Sequence, residues 1–335
     1  MPVANGGLDR RNFLLDVLRL GGLGAGTAGL GVWLGSRSRR PAEGEVLTVD
    51  RAVAVQPDPS LPEMVVTQGG DPRRLVRRAI EELGGAGRFI ARGDIVVVKP
   101  NIGWDRAPEQ AVNTNPLVVA ELVTLCLEAG ARRVIVTDVC SNEPRSCFER
   151  SGIQDAAGRA GAEVILPTSR RFRQVNLRGD WLGVWPVLEP FLEADKVINV
   201  PIAKHHSLTG VTLGMKNWYG VLGGQRRRLH QRIHESLVDL AAFMRPALTV
   251  MDAYRILARN GPTGGSARDV EEKRTVVASL DPVAIDAYTA RAWWNLDTRR
   301  LRYLALAEER GLGRARFEEL RMKTVDMAEH QQPAT

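Results

Sequence analysis

Short runs of β-branched residues alternate with helical segments along most of this chain, and this alternation most constrains its fold. Uninterrupted apolar runs predict buried strands at Asp94 to Lys99, Arg133 to Asp138 and Lys196 to Val200. A helix between two of them begins at Asn115-Pro116, because asparagine caps a helix and proline fits its first turn. Strands separated by helices form parallel sheets covered on both faces. The sequence therefore predicts an α/β fold, mostly parallel and Rossmann-like, with helices on both faces.

The two ends of the predicted fold are less regular. A strand is predicted at Glu45 to Val55, followed by a proline-rich loop and a helix that begins at Asp71-Pro72. Helices are predicted to finish the fold at the other end. Pro167 to Glu189 is irregular, which favours a hairpin or a cap and a smaller subdomain there. We predict one domain over 45–325 and a disordered tail over 326–335.

The N-terminal segment has the layout of an export signal. Arg10-Arg11 is followed by Phe-Leu and then by a glycine-rich apolar run from Leu20 to Gly35. This order resembles a twin-arginine translocation signal, and the run is shorter than the roughly 20 residues of a membrane-spanning helix. We therefore expect residues 1–41 to direct the protein, through the twin-arginine machinery, to the periplasm or the outer face of the cytoplasmic membrane. The segment is either removed or kept as an N-terminal membrane anchor.

The charge of the chain limits the classes of ligand or partner that we expect. The net charge is +7 and comes mostly from arginine, which fits an acidic small ligand, an anionic surface or simply a GC-rich genome. Arg226 to Arg232 is predicted to be an exposed basic segment. No basic module interleaved with aromatic residues is present, so we expect no nucleic-acid partner.

The three cysteines are too few for an iron–sulfur cluster within this chain alone, because such clusters usually need four thiolates. Cys126 lies in an apolar helical run and is predicted to pack in the core. For Cys140 and Cys147 packing is the preferred interpretation. Exposure in a site loop and pairing in an oxidising compartment stay open.

The stretch from Asn199 to Gly224 concentrates polar side chains directly after a predicted strand. The carboxyl ends of the other parallel strands carry Lys99, Asn101, Asp138 and Asp252. Open α/β sheets place their ligand sites at this edge, so we expect all these groups to converge there. The polar residues contributed by the stretch itself are Lys204, His205, His206, Thr209, Thr212, Lys216 and Asn217.

The residue types suggest distinct roles at the predicted site. His205 and His206 are adjacent, so on a strand at most one faces the site. Histidine can transfer protons near neutral pH or bind a metal, and a buried lysine can lose its proton or hold an anion. We assign catalysis to Lys99, Lys204, His205 and His206, ligand binding to Asn101, Thr209, Thr212, Lys216 and Asn217, and metal binding to Asp138 and Asp252. The alternatives are that Lys99 only extends to the surface and that the aspartates cap helices.

Several segments resemble one known family in their order and spacing. They are VVVKPNIGW, INVPIAKHHSLTGVTLGMKNWYGVLG and SLDPVAIDA, within roughly Asp94 to Asp286. This pattern is similar to the domain of unknown function family 362. The resemblance implies an α/β domain that sometimes accompanies ferredoxin-like iron–sulfur modules, and it brings no established reaction. The chain lacks a cluster-binding cysteine series, so it resembles the stand-alone, exported form.

Two functions follow as hypotheses. The first is an exported enzyme that acts on a small anionic substrate at the strand-end edge, either metal-assisted or redox. The alternative is a non-catalytic metal- or ligand-binding accessory protein of the cell envelope. Gly210 to Gly220 contains neither a Walker nor a dinucleotide fingerprint, so the cofactor is left open, with a metal ion as one option.

Overall fold

The structure, a computed structural model, describes residues 44–49, 55 and 58–328. The predicted export signal lies outside these residues, as do the end of the predicted tail and part of the strand predicted at Glu45 to Val55. The described residues from Val46 onward form one compact unit. Within the described ranges, no helix combines the length and the apolarity needed to cross a membrane.

Strands and helices alternate through the described residues as the sequence predicts. The strands are β1 (Met64–Gln68), β2 (Ile95–Pro100), β3 (Arg133–Val136), β4 (Glu163–Val164), β5 (Phe172–Asn176), β6 (Val184–Leu188), β7 (Lys196–Val200), β8 (Ile202–His206), β9 (Gly210–Thr212), β10 (Leu248–Leu257), β11 (Val270–Ser279) and β12 (Met322–Asp326). The helices are α1 (Pro72–Glu82), α2 (Pro116–Glu128), α3 (Pro144–Arg150), α4 (Ile153–Arg159), α5 (Glu189–Glu193), α6 (Gly214–Asn217), α7 (Ile233–Met244), α8 (Pro282–Trp294) and α9 (Arg302–Glu309).

Among the described residues, ten strands form one mixed sheet, mostly parallel. Its main order is β12-β1-β11-β10-β7-β2-β3-β4, with β8 beside β10 and β9 beside β8. The half from β10 to β4 is parallel throughout. Antiparallel pairing enters where β11 joins β10 and β1, and where β9 joins β8. The predicted α/β class is thus confirmed, and its parallel half places several strand ends at one edge.

Side-chain alternation along the central strands divides the core into two clusters. Val97 faces one cluster together with Ile135, whereas Val96 and Val98 face the other together with Val136. All of these side chains are almost fully buried. Because neighbouring residues of a strand point to opposite faces, an uninterrupted valine run requires apolar cover on both sides of the sheet.

Three helices begin at Asx-Pro pairs of the sequence. Asp71 accepts a hydrogen bond from the Arg73 amide at 2.9 Å at the start of α1. Asn115 does the same for Leu117 at 3.0 Å at the start of α2. A corresponding cap comes from Asp281 at the start of α8. These caps hold amides that the helix itself cannot pair, as predicted for such sequences.

Both ends of the fold differ from the prediction. Of the described residues in the strand predicted at Glu45 to Val55, only Leu47 pairs, in an isolated bridge to Val175. The first strand of the sheet is β1, inside the predicted proline-rich loop. The last element is a strand, β12, where only helices were expected. It reaches Asp326, the first residue of the predicted tail, most of which lies outside the described residues. Its polar sequence forms a strand because it pairs along β1 at the sheet edge, a tertiary contact with no local signature.

The irregular segment forms a hairpin, one of the two predicted forms. Strands β5 and β6 pair antiparallel. The turn between them is held by the buried carboxylate of Asp239 on α7. That carboxylate accepts hydrogen bonds from the amides of Asp180, Trp181 and Leu182 at 3.1, 2.9 and 2.8 Å, and from Arg310 at 2.6 Å. This acid therefore anchors the turn of the hairpin, while β6 is also linked to the main fold by the bridge between Val187 and Leu222.

Replacement of this acid should destabilise the protein strongly. Asp239→Ala leaves three amides and a guanidinium without their acceptor, and we expect a loss of about 3 kcal/mol of unfolding free energy. Asp155→Ala is the matched control, because Asp155 forms an exposed ion pair with Arg159 on α4, and should cost less than about 1 kcal/mol. Urea unfolding measures both. Equal losses would contradict the anchoring role of Asp239.

Candidate functional site

The parallel half of the sheet ends at a cavity of about 580 Å³, which we call the strand-end cavity. It is lined by residues from the loops after β2 and β3, from β8 and β9, and from the segment 216–230. The cavity thus lies at the edge where the sequence predicts a site. Of the predicted site residues, it is lined by Asn101, Asp138, Lys204, His206, Thr212, Lys216 and Asn217.

A buried ion pair lies beside the strand-end cavity. Val98 on β2 pairs with Val136 on β3, so the side chains at these two strand ends are neighbours. Lys99 Nζ lies 2.6 Å from Asp138 Oδ1, and the other carboxylate oxygen accepts the Ile102 amide at 2.6 Å. Burial lowers the pKa of Lys99, and the Asp138 carboxylate opposes that shift. Both charges are therefore compensated by each other and by backbone groups.

Gly220 packs directly against this ion pair. A Cβ on Gly220 would overlap the Asp138 carboxylate and lie 2.7 Å from Lys99 Nζ. The backbone of Gly220 also accepts a hydrogen bond from the Val139 amide at 2.8 Å, just beyond the acid. Only a residue without a side chain fits here, so the backbone itself closes one side of the ion pair.

Three asparagines connect the ion pair to the rest of the site. Asn217 Oδ1 accepts hydrogen bonds from Lys99 Nζ at 3.1 Å and from Asn101 Nδ2 at 3.0 Å. Its Nδ2 donates to Asn199 Oδ1 on β7 at 2.9 Å. Asn101 in turn accepts a hydrogen bond from Lys204 Nζ at 3.1 Å. The polar groups predicted from separate strand ends thus form one hydrogen-bonded network.

Strands β8 and β9 contribute Lys204, His206 and Thr212 to the lining of the strand-end cavity. Lys204 on β8 lies directly opposite Thr212 on β9, so the two side chains lie on the same face. Lys204 is only 1% exposed, and its Nζ donates to Asn101 Oδ1 and to the Val112 carbonyl at 2.8 Å. The buried Thr212 hydroxyl makes no hydrogen bond among the described residues. Burial, with a further contribution from Lys216, lowers the pKa of Lys204 to about 7.

Lys216 differs from the other two site lysines in its partners. Its Nζ lies 4.9 Å from the centre of the Tyr219 ring. The side chain is half-buried at the strand-end cavity, and no described residue accepts a hydrogen bond from it. Burial, with a contribution from Arg226, lowers the pKa of Lys216 to about 8. A largely desolvated ammonium without an acceptor is able to bind an anionic oxygen.

The two histidines face opposite sides of β8, as their adjacency predicts. His206 lines the strand-end cavity, and its Nδ1 accepts hydrogen bonds from the amides of Leu208 at 3.1 Å and Thr209 at 3.4 Å. Burial, reinforced by Lys216, lowers the pKa of His206 to about 3. The ring is therefore neutral with its proton on Nε2, which makes it a hydrogen-bond donor at neutral pH. His205 does not line the cavity and instead accepts the Gly261 amide on Nδ1 at 3.1 Å.

Besides Lys99 and His205, two more predicted residues, Asp252 and Thr209, do not line the strand-end cavity. Asp252 accepts hydrogen bonds from the amides of Asn115 at 2.7 Å and Tyr254 at 3.0 Å, and burial raises its pKa to about 6. The Thr209 hydroxyl donates to the Val211 carbonyl at 2.8 Å. Across the described ranges, no three His, Cys, Asp or Glu side chains lie close enough to hold a metal ion. The metal role of Asp138 and Asp252 stays a prediction, and the structure gives each acid other partners.

Arg226 is a site residue that the sequence interpretation missed. It was placed in an exposed basic segment, but its guanidinium is part-buried and donates to the carbonyls of Val139, at 2.7 Å, and Cys140. It thus holds the loop after Asp138 against the strand-end cavity. No local pattern distinguishes it from the neighbouring Arg227 and Arg228.

The sequence interpretation also did not assign Asp286 to the site, although this residue lies in SLDPVAIDA, one of the segments that resemble the family. This buried acid on α8 accepts the amides of Gly214 at 2.7 Å and Met215 at 3.0 Å. It therefore fixes the start of α6, the helix that carries Lys216 and Asn217. Burial raises the pKa of Asp286 to about 7. Its position at the end of SLDPVAIDA was the available signal.

The three cysteines are free and buried. Cys126 lies in the core as predicted. Cys140 and Cys147 are hydrogen-bonded to each other, and this bond together with burial raises the pKa of the Cys140 thiol. Their environment fits the packing interpretation.

Loss of one partner of the buried ion pair should be costly. Lys99→Met leaves Asp138 as an uncompensated buried carboxylate, and we expect a loss of about 3–5 kcal/mol of unfolding free energy. The control is Lys323→Met, which removes an exposed ion pair with Glu82, and should cost less than about 1 kcal/mol. Denaturant unfolding of both variants decides the matter. A Lys99→Met variant as stable as the control would show that the ion pair is dispensable.

Two known proteins share similarity with this chain. The thylakoid-associated protein sll1697 of Synechocystis sp. is 27% identical over 253 residues, which cover 73% of this chain and 77% of that protein. Among solved structures, the lactate racemase apoprotein from Thermoanaerobacterium thermosaccharolyticum matches with a TM-score of 0.37 and 13% identity. The match covers 63% of this chain, which spans about half, 53%, of the racemase chain.

The family model described as Domain of unknown function (DUF362) matches residues 96–291. This range contains the buried ion pair, the asparagine network and every lysine of the strand-end cavity. The resemblance found in the sequence is therefore confirmed: the chain belongs to the DUF362 family.

Proposed function

We propose that this protein is an exported enzyme that binds a small anionic substrate in the strand-end cavity. The observation that carries the proposal is Lys216, a half-buried cation without a hydrogen-bond acceptor among the described residues. Because leaving such a group desolvated and unpaired is unfavourable, a carboxylate or phosphate oxygen is the partner that best completes the site.

The charges around the strand-end cavity support an anionic ligand. Its basic lining residues are Lys204, Lys216, Arg226 and Arg227, and its acidic lining residue, among those described, is Asp138. Since Asp138 is already paired with Lys99, positive charge is in excess. A volume of about 580 Å³ is in the range of small-molecule sites, roughly 300–1,000 Å³.

Two groups favour an enzyme over the accessory-protein alternative. The amine of Lys204 loses its proton near neutral pH, and the hydroxyl of Thr212 opposite it has no partner among the described residues. A carrier needs neither a reactive amine nor a free hydroxyl beside the ligand. A metal-assisted or redox reaction stays a prediction, and the proposal rests on groups that the chain itself supplies.

Removal of the unpartnered cation should weaken anion binding. Titration calorimetry with inorganic phosphate and with pyruvate should show at least about tenfold weaker binding to Lys216→Met, since a charge-assisted hydrogen bond contributes roughly 1.5–3 kcal/mol. The wild-type affinity for pyruvate, whose charge is constant in this range, should also fall as pH rises through about 7 and then about 8, because Lys204 and Lys216 are cationic below these pKa values and neutral above them. Inorganic phosphate tests the binding of a phosphate group, and pyruvate tests the binding of a carboxylate group.

Lys323→Met serves as the control for this measurement, because it removes a lysine charge from the surface and leaves the strand-end cavity intact. It should bind both anions as the wild type does. The proposal fails if Lys216→Met also binds them unchanged, or if neither anion binds the wild type.

We further propose that Arg10 and Arg11 direct export, and that the N-terminal segment can hold the protein at the membrane. The thylakoid-associated relative supports a location outside the cytoplasm. The double variant Arg10→Lys with Arg11→Lys should retain the protein in the cytoplasm of a bacterial host with the twin-arginine machinery. The matched control, Arg39→Lys with Arg40→Lys, changes a second arginine pair beyond the apolar run and should be exported. Cell fractionation measures both, and export of the first variant would refute the signal.

A further inference from the structure

Lysine is rare in this chain, and half of its lysines lie at one site. The sequence contains six lysines among 46 basic residues. Three of the six are Lys99, Lys204 and Lys216, which belong to the ion pair and the strand-end cavity. The other three lysines, Lys196, Lys273 and Lys323, lie outside this site. Lysine can release its proton near neutral pH when it is buried, whereas arginine cannot.

The surroundings of Lys204 suit an amine that acts as a nucleophile. Its Nζ has two acceptors, Asn101 Oδ1 and the Val112 carbonyl. A neutral amine has two hydrogens, so these acceptors hold both and leave the lone pair in a remaining tetrahedral direction. Burial and the nearby Lys216 lower the pKa of Lys204 to about 7, so a large fraction is neutral at physiological pH.

Hydrogen-bond donors lie on the same face of β8 and β9 as this amine. Thr212 is directly opposite Lys204, is only 4% exposed, and has a hydroxyl without a partner in the described part of the chain. His206 is two residues along β8 from Lys204, and its Nε2 carries a proton. A carbonyl oxygen bound beside Lys204 would thus find two donors.

We propose that Lys204 forms a Schiff base with a small oxo acid, a carboxylate that also carries a ketone or aldehyde group. This inference rests on the proposed function, because Lys216 holds the carboxylate in the strand-end cavity. The carboxylate supplies the acceptor that Lys216 lacks among the described residues, and the carbonyl group lies against Lys204.

The reaction balances without an oxidant or a reductant. The nitrogen lone pair of Lys204 attacks the carbonyl carbon, the C=O π electrons move to the oxygen, and one of the two amine protons is transferred to that oxygen. The resulting carbinolamine loses its hydroxyl group together with the second amine proton as water. The neutral imine that remains takes up a proton from solvent and becomes the protonated imine. Thr212 and His206 donate hydrogen bonds to the oxygen as its negative charge develops. The protonated imine withdraws electrons from the neighbouring carbon and so activates it for proton or carbon dioxide loss.

Reductive trapping tests this inference. The wild-type protein is incubated at neutral pH with sodium cyanoborohydride and either pyruvate or acetoacetate, and modified peptides are mapped by mass spectrometry. We expect one of these oxo acids to form an adduct on Lys204 in at least about tenfold excess over Lys323 and Lys273, which are ion-paired at the surface. Lactate has the carboxylate but no carbonyl group. It should form no adduct, and in excess it should protect Lys204.

A conservative variant separates binding from chemistry. Lys204→Arg keeps the positive charge but cannot form an imine, so it should bind lactate and lose the adduct. If this variant does not fold, protection of Lys204 by lactate in the wild type shows instead that the carboxylate binds beside this lysine without forming an imine. An equal distribution of adducts over the surface lysines would overturn the proposal.

Failure of this inference can be distinguished from failure of the proposed function. Calorimetry on the same wild-type sample measures binding of pyruvate and lactate independently of trapping. Binding that depends on Lys216, without an adduct on Lys204, would overturn the Schiff base and leave anion binding in place. No binding and no adduct would overturn both.

Discussion

The ion pair between Lys99 and Asp138 is the interaction on which the site depends. It joins the ends of two neighbouring parallel strands, and it also orients Asn217, whose carbonyl group accepts from Lys99. Asn217 lies on α6 next to Lys216, so the position of the unpartnered cation follows from the ion pair. A buried pair of this kind contributes little net stability by itself, but its geometry is costly to break. The ion pair therefore fixes the relative positions of the site residues more than it stabilises the fold.

The central sheet could be predicted from the sequence because its signals are local. Valine runs, Asx-Pro caps and the order of strands and helices each identify an element without knowledge of its neighbours. The convergence of Lys99, Asp138 and Lys204 followed from topology alone, since parallel strands end at the same edge. The edge strand β12 could not be predicted in this way, because its polar sequence is ordered by pairing with β1.

The roles of individual polar residues were harder to predict from the sequence, because these roles also depend on tertiary contacts. Asp252 and Asp138 both follow apolar runs, yet one accepts backbone amides and the other faces a lysine. Arg226 is one of three consecutive arginines, and only the fold selects it to hold the loop after Asp138. Such assignments depend on which donors are nearby in space. The scarcity of lysine, with three of six at this site, is a compositional signal that the sequence interpretation did not use.

Gly220 has a consequence for how related sequences can be compared. Because a side chain at this position would occupy the space of the Asp138 carboxylate, the glycine and the acid are constrained together. A side chain at this position therefore requires a displaced backbone here, or an acid that is moved or replaced. The residue at position 220 can therefore be used to sort relatives from their sequences alone. A glycine there is compatible with this buried ion pair, whereas a side chain predicts a different arrangement of charges.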